Sequence, residues 1–157
     1  MALLSGPKRG LNHSNNMRFK YRYVADKYTD TKLVRMPFLP FSLAYGEKTV
    51  SLLGLVDTGA VDCLFDREVA DDLGIDITNT DQEKEYFGIA DQTVIGYMHL
   101  VEFQIQGFSE WIEMEAGFLD AKLPYPLLGQ SDFFDNYEVI LKRYRGRFEV
   151  KSRSYLH

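Results

Sequence analysis

The chain has 157 residues, 45% of them hydrophobic and 26% charged, with eighteen basic and twenty-three acidic side chains. That is the profile of one soluble globular domain, long enough to bury roughly two-thirds of its unfolded surface without disulfides or metals and too short for two full-size domains. A formal charge of −5 gives no broad attraction to phosphate backbones or anionic lipid, so nonspecific nucleic-acid binding is excluded as the main activity and neither a nucleic-acid nor a membrane partner is expected. Local basic clusters remain compatible with that total.

Cys63 stands alone, so no intrachain disulfide and no cysteine-based zinc cluster can form, and a reducing, cytoplasmic setting fits best. The apolar residues Met1 to Leu4 run at once into Ser5, Gly6 and Pro7, too short for a secretory leader, and no stretch approaches the roughly 20 apolar residues of a membrane-spanning helix.

Residues 1–30 read as a flexible tail or arm. Met1 to Asn16 lacks apolar periodicity, and Arg18 to Asp30, with Tyr21, Tyr23 and Tyr28, is polar and aromatic enough to pack on the domain or on a partner. The domain proper is expected over residues 31–153. Its first strand, near Leu33 to Phe41, is interrupted by Pro37 and Pro40 and is therefore predicted at an edge. After a turn at Tyr45 to Lys48, the run Thr49 to Val56 is short and apolar, as a buried strand ending at Asp57 would be. Asp66 is a suitable N-cap for a helix over Arg67 to Leu73, with Gly74 as its stop.

Glu85 to Ile89 and Thr93 to Ile105 predict a long hairpin around Ala90-Asp91-Gln92, its second arm alternating through Tyr97, His99, Val101, Phe103 and Ile105. Glu110 to Leu119 reads as a strand, Leu127-Leu128-Gly129 as a compact apolar run, and Ser131 as the cap of a short helix through Asn136. Tyr137 to Lys142 and Arg147 to Lys151 make a terminal hairpin. The fold class is mainly β, a small closed barrel with one or two short helices.

The chemistry concentrates in Leu53-Gly54-Leu55-Val56-Asp57-Thr58-Gly59-Ala60. A buried strand delivers a carboxylate into a tight turn in which glycine admits close backbone approach and the Thr58 hydroxyl can bond main chain. The triplet Asp57-Thr58-Gly59 follows an apolar strand, precedes a helix, and is answered some seventy residues later by Leu127-Leu128-Gly129. Over about Leu33 to Val150 this arrangement resembles the retropepsin-like aspartic proteases, including their single-domain bacterial members.

The resemblance implies that Asp57 is catalytic, that Thr58, Gly59 and Ala60 support its loop, and that each chain supplies one Asp, so that a homodimer completes the site. It implies an aspartic endopeptidase acting on a peptide or protein substrate through two carboxylates and an activated water, with no metal and no other cofactor. The hairpin around Gly88, Ile89 and Ala90 stands where the family carries its flap, the ribbon that closes over a bound peptide; Asp62 reads first as a turn residue, although it is near enough in sequence to line the cleft. Gly88 and Gly96 would give the flap its flexibility.

Three positions depart from the viral pattern: Val61 intervenes before Asp62, the flap tip Ile89 to Thr93 lacks paired glycines, and Gln130-Ser131 stands where the viral enzymes carry arginine with an asparagine or aspartate. These departures keep open a noncatalytic dimeric peptide-binding module on the same fold. A phosphoryl-transfer reading fails because Gly59 occupies the place of the required second acid. Cys63 lacks an evident base and reads as a buried structural residue, no serine-nucleophile elbow is present, and His99 reads as a packing residue. Lys142, Arg143, Arg145 and Arg147 read as a solvated edge, and secondarily as a docking site for an acidic partner, while Trp111, Phe133 and Phe134 are expected in the core.

Overall fold

The computed structural model describes residues 16–26, 31–88 and 92–155. Ile89 and Ala90, assigned above to the flap tip, lie outside them. Among the described residues the strands are β1 (Asn16–Lys20), β2 (Arg22–Ala25), β3 (Leu33–Met36), β4 (Phe38–Tyr45), β5 (Lys48–Val56), β6 (Leu64–Asp66), β7 (Glu83–Phe87), β8 (Thr93–Ile105), β9 (Ile112–Leu119), β10 (Leu127–Leu128), β11 (Tyr137–Lys142) and β12 (Arg147–Ser152), with one α-helix, α1 (Arg67–Leu73).

Six strands in the order β4-β5-β10-β6-β9-β8 close into a barrel through the pairing of β4 with β8, and β7 extends the wall as a hairpin on β8. The length of β8 allows this. Its first residues, Thr93 to Tyr97, pair with β7, its centre with β9, and its last, Glu102 to Ile105, with β4. Closure removes sheet edges, which is why the edge position expected from the prolines is not observed. Pro40 lies just beyond the β8 ladder, which ends opposite Phe41, and its carbonyl accepts from the Gln106 amide at 3.0 Å on that side. The missing Pro40 N–H therefore interrupts no bond to β5.

The barrel interior is aromatic. Phe41, Phe65, Phe103, Phe118 and Phe133 are fully buried, and Phe41 touches Phe65 and Phe103 with ring centroids 6.0 and 5.1 Å apart. Each such ring contributes roughly 1.5–3 kcal/mol by leaving water. Trp111, expected inside, is 41% exposed at the entry to β9, whereas Phe133 is in the core.

Helix α1 forms as its caps dictate: the Asp66 side chain accepts from the Val69 amide, and Gly74 takes a left-handed conformation, φ 71°, that an L side chain resists. The second helix expected after Ser131 is instead one irregular turn, Gln130–Phe134, with non-helical backbone at Ser131 and Asp132. Asp132, at φ 66°, accepts from the Glu115 amide at 2.7 Å, so a tertiary bond to β9 overrides local helix formation.

Residues placed above in an arm form paired strands: β2 pairs with β3, and β1 completes a terminal sheet in the order β1-β12-β11. One face of this sheet packs inward through Phe148 and Val150. On the other, Glu149 accepts from Lys142 Nζ at 3.0 Å and lies 3.4 Å from Arg18 Nε. Lys142 chiefly, then Arg18 and Arg147, holds the Glu149 carboxyl below its usual 4.5. A carboxyl whose pKa is lower folded than unfolded stabilises the fold above the unfolded value and loses that contribution as pH falls through the folded one. Glu149→Gln is expected to lower the urea midpoint at pH 7, and the difference from the parent to shrink steadily as the pH is taken below 4.5; a pH-independent difference would contradict this.

Candidate active site

The strand β5 becomes buried toward its end, through Leu55 and Val56, and there it runs parallel to β10, Leu127 opposite Leu55 and Leu128 opposite Val56. On its other side Leu127 of β10 is antiparallel to Leu64 of β6. The two-residue strand β10 is thus wedged between the strands that enter and leave the turn 57–63. The Asp57 amide donates to the Leu128 carbonyl at 3.0 Å and the Ala60 amide to the Asp57 carbonyl at 3.3 Å. Asp57 itself is half-buried, and its Oδ1 accepts from the Gly59 amide at 2.9 Å, which fixes where the carboxylate points.

The segment after β10 clamps the same turn. Gln130 N donates to the Ala60 carbonyl at 2.9 Å and Ser131 N to the Val61 carbonyl at 2.7 Å, while the Gln130 side chain donates from Nε2 to the Thr58 carbonyl at 2.7 Å. Gly129 is obligatory, since a Cβ there would lie 2.4 Å from the Asp62 carbonyl and 2.7 Å from that of Ala60. Its amide donates to Cys63 Sγ at 3.4 Å, and burial pushes the Cys63 thiol up to about 12. Cys63 is a packing and hydrogen-bonding residue of the turn, not a nucleophile.

The outer side of the turn is bare. Thr58 and Gly59 are exposed, Val61 is 66% exposed, and the Thr58 hydroxyl has no hydrogen-bond partner among the described residues. Asp57 does not line the surface clefts around Asp66, Glu110 or Phe19.

Asp62 turns the other way and is 3% exposed. Its carboxylate accepts from Lys84 Nζ at 3.1 and 3.3 Å and from the Tyr86 hydroxyl at 2.7 Å, both from β7, the first strand of the β7–β8 hairpin. The Tyr86 ring occupies the space above Gly96, where a Cβ would come within 2.4 Å of it, so Gly96 makes room for Tyr86. Burial, and then the bond to Asp62, raises the Tyr86 hydroxyl pKa well above its usual 10.0. This cluster was missed in sequence, although Lys84 and Tyr86 at i and i+2 on one strand share a face. Gly88 N donates to the Gln92 carbonyl at 2.8 Å and closes the described part of the hairpin. His99 is held by the Ile77 carbonyl at 2.8 Å, and no metal-binding cluster occurs among the described residues.

A family model of aspartyl proteases matches residues 41–131, more than half of the chain, and the chain belongs to that family. The structure of a retropepsin-like aspartic protease from Rickettsia conorii is similar over 85% of this chain and 97% of that one, with 15% identity and a TM-score of 0.58. EIAV protease complexed with the inhibitor HBY-793 matches over 60% of this chain and 82% of that one at 17% identity, with a TM-score of 0.45. No curated protein matches the sequence. The fold is retropepsin-like, and by class the chain is an aspartic endopeptidase.

Two outcomes follow from the site. Lys84→Met leaves the buried Asp62 carboxylate with Tyr86 alone, and because Lys84 is half exposed the expected loss is about 1–3 kcal/mol by urea denaturation; an unchanged midpoint would remove Asp62 from the list of stabilising groups. Gln130→Ala is expected to cost only about 1 kcal/mol of stability yet to lower kcat about tenfold with KM little changed. Gln130→Arg, which retains a donor for the Thr58 carbonyl, should restore most of it.

Proposed function

We propose that the chain hydrolyses peptide bonds as a homodimer in which each copy contributes Asp57 to one shared site. The observation that carries this reading is the half-built character of the turn: a single Asp-Thr-Gly in the chain, its carboxylate aimed by Gly59 N, and its Thr58 and Val61 side chains exposed on the side a second copy would cover. Two carboxylates brought about 3 Å apart around a two-fold axis hold one proton between them. The ionised member takes a proton from a bound water, which attacks the peptide carbonyl; the protonated member donates to the developing oxyanion, and a proton later reaches the leaving nitrogen.

In this arrangement Thr58 of each copy braces the other turn, Gly59 offers backbone to the substrate, Ala60 supports the loop, and Gly88, Ile89 and Ala90 of the flap close over the bound peptide and exclude water. Asp62 acts at the cleft margin through its bonds to Lys84 and Tyr86, coupling the flap base to the turn. The lone, buried Cys63 suits a reducing compartment such as the cytoplasm.

Cleavage of an extended-peptide library at mildly acidic pH by the parent protein, and its loss by at least about a thousandfold in Asp57→Asn, is the expected result, with a dimer mass in sedimentation. A chain that stays monomeric at every concentration, or equal cleavage by Asp57→Asn, would overturn the proposal. Undiminished peptide binding by both proteins with cleavage by neither would make the chain a noncatalytic peptide clamp.

A further inference from the structure

The total charge of −5 conceals a separation. Residues 37–136 carry nineteen acidic and four basic side chains, whereas residues 1–36 and 137–157 together carry fourteen basic and four acidic. The fold gathers much of the basic set at one end of the terminal sheet. Strand pairing puts Lys20 opposite Arg147 and Arg147 opposite Lys142, a row of three cations across three strands. Like charges directly opposite destabilise a sheet, and within the fold the single Glu149 carboxylate, beside Lys142 and Arg147, offsets only part of that cost.

More cations surround the row. Arg143 and Arg145 occupy the turn after β11, closed by Gly146 in a left-handed conformation. The Gly146 carbonyl accepts from Tyr21 N at 2.8 Å, which ties this turn to the β2–β3 ribbon and brings Arg35 to 3.4 Å from where a Gly146 Cβ would stand. Lys20, Arg22, Arg143 and Arg145 are exposed. Among the described residues, only Lys142 of the seven has an ion-pair partner, Glu149. The same end exposes apolar and aromatic groups: Tyr144 is 76% exposed under the Arg145 guanidinium, 5.3 Å from its ring centroid, Tyr23 is 64% and Leu141 45% exposed.

We propose that this end of the molecule docks on the surface of an anionic phospholipid bilayer. Phosphate-bearing headgroups meet the cations, and Tyr144, Tyr23 and Leu141 enter the interfacial layer, where aromatic side chains with a polar tip are favoured. The exposed aliphatic Leu141 favours lipid over nucleic acid, which has no apolar layer to receive it. The acidic barrel is repelled by the same surface, so the attraction also orients the protein with the barrel facing away. This inference does not depend on catalysis.

The full chain is tested by co-sedimentation with vesicles of phosphatidylcholine containing one-third phosphatidylglycerol, with pure phosphatidylcholine vesicles and a single-stranded oligonucleotide in parallel. The expected result is binding to the anionic vesicles at least about tenfold tighter than to neutral ones, weakening as salt rises from about 0.1 to 0.5 M. The double variant Arg143→Glu, Arg145→Glu should lose at least about twentyfold in affinity with its thermal midpoint nearly unchanged, and Tyr144→Ser should weaken binding at every salt concentration. Equal partition onto both vesicle types, no partition at all, or tight binding to the oligonucleotide without binding to vesicles would overturn the proposal.

Discussion

The insertion of Leu127 and Leu128 between β5 and β6 is the contact on which the site depends. A turn of seven residues bearing a carboxylate has little intrinsic order, and fixing its backbone costs on the order of 1–2 kcal/mol per residue. The wedge offsets part of that cost through bonds to the turn: Asp57 N to Leu128 O, Gln130 N to Ala60 O and Ser131 N to Val61 O. Gly129 is what lets the two backbones approach, and any side chain there would push the wedge off the turn. The geometry of Asp57 is therefore a property of a contact about seventy residues distant in the chain.

A second constraint joins this turn to the flap. Ionised carboxylates are seldom buried without partners, and Asp62 finds both of its partners on β7. The turn 57–63 and the strand β7 are thereby held as one unit. Gly96 and Gly117 leave the space that the Tyr86 side chain fills. In the viral pattern an arginine follows the apolar-apolar-glycine run; here Gln130 follows it and reaches the Thr58 carbonyl instead. A neutral amide thus braces the loop by a directed bond, at lower desolvation cost than a buried ion pair would carry.

What was legible in the sequence was local or periodic. The apolar run into Asp57, the Asp66 cap and Gly74 stop of α1, the hairpin of β7 and β8 and the terminal hairpin all announce themselves within a dozen residues, and the Asp-Thr-Gly triplet stood out because a strand delivered it. What escaped was decided at long range. Pro40 signalled an edge, but closure by β8 placed β4 between two neighbours. Ser131 signalled a helix cap, but the bond from Glu115 N to Asp132 bent the segment away from helical geometry. Asp62 looked like a turn residue because its partners, Lys84 and Tyr86, lie on a strand whose register no local pattern fixes. Trp111 looked like core because residue type alone ranks it so, whereas the barrel leaves the start of β9 at its rim.

Net charge hides the separation of cations from anions for a related reason. It averages over the whole chain, while electrostatic recognition responds to the potential at one surface. The barrel wall can be acidic because its interior is held by packed aromatic rings that carry no charge. The terminal sheet sets cations side by side, with Glu149 as the anion that its outer face shares among Lys142 and Arg18. Had the two sets been interleaved, neutralising pairs would have formed within the fold, as Lys84 and Asp62 do. Their segregation leaves the cations of the hairpin turn unmatched inside the molecule, and a turn fixed by Gly146 and by its bond from Tyr21 N presents them without further ordering of the backbone.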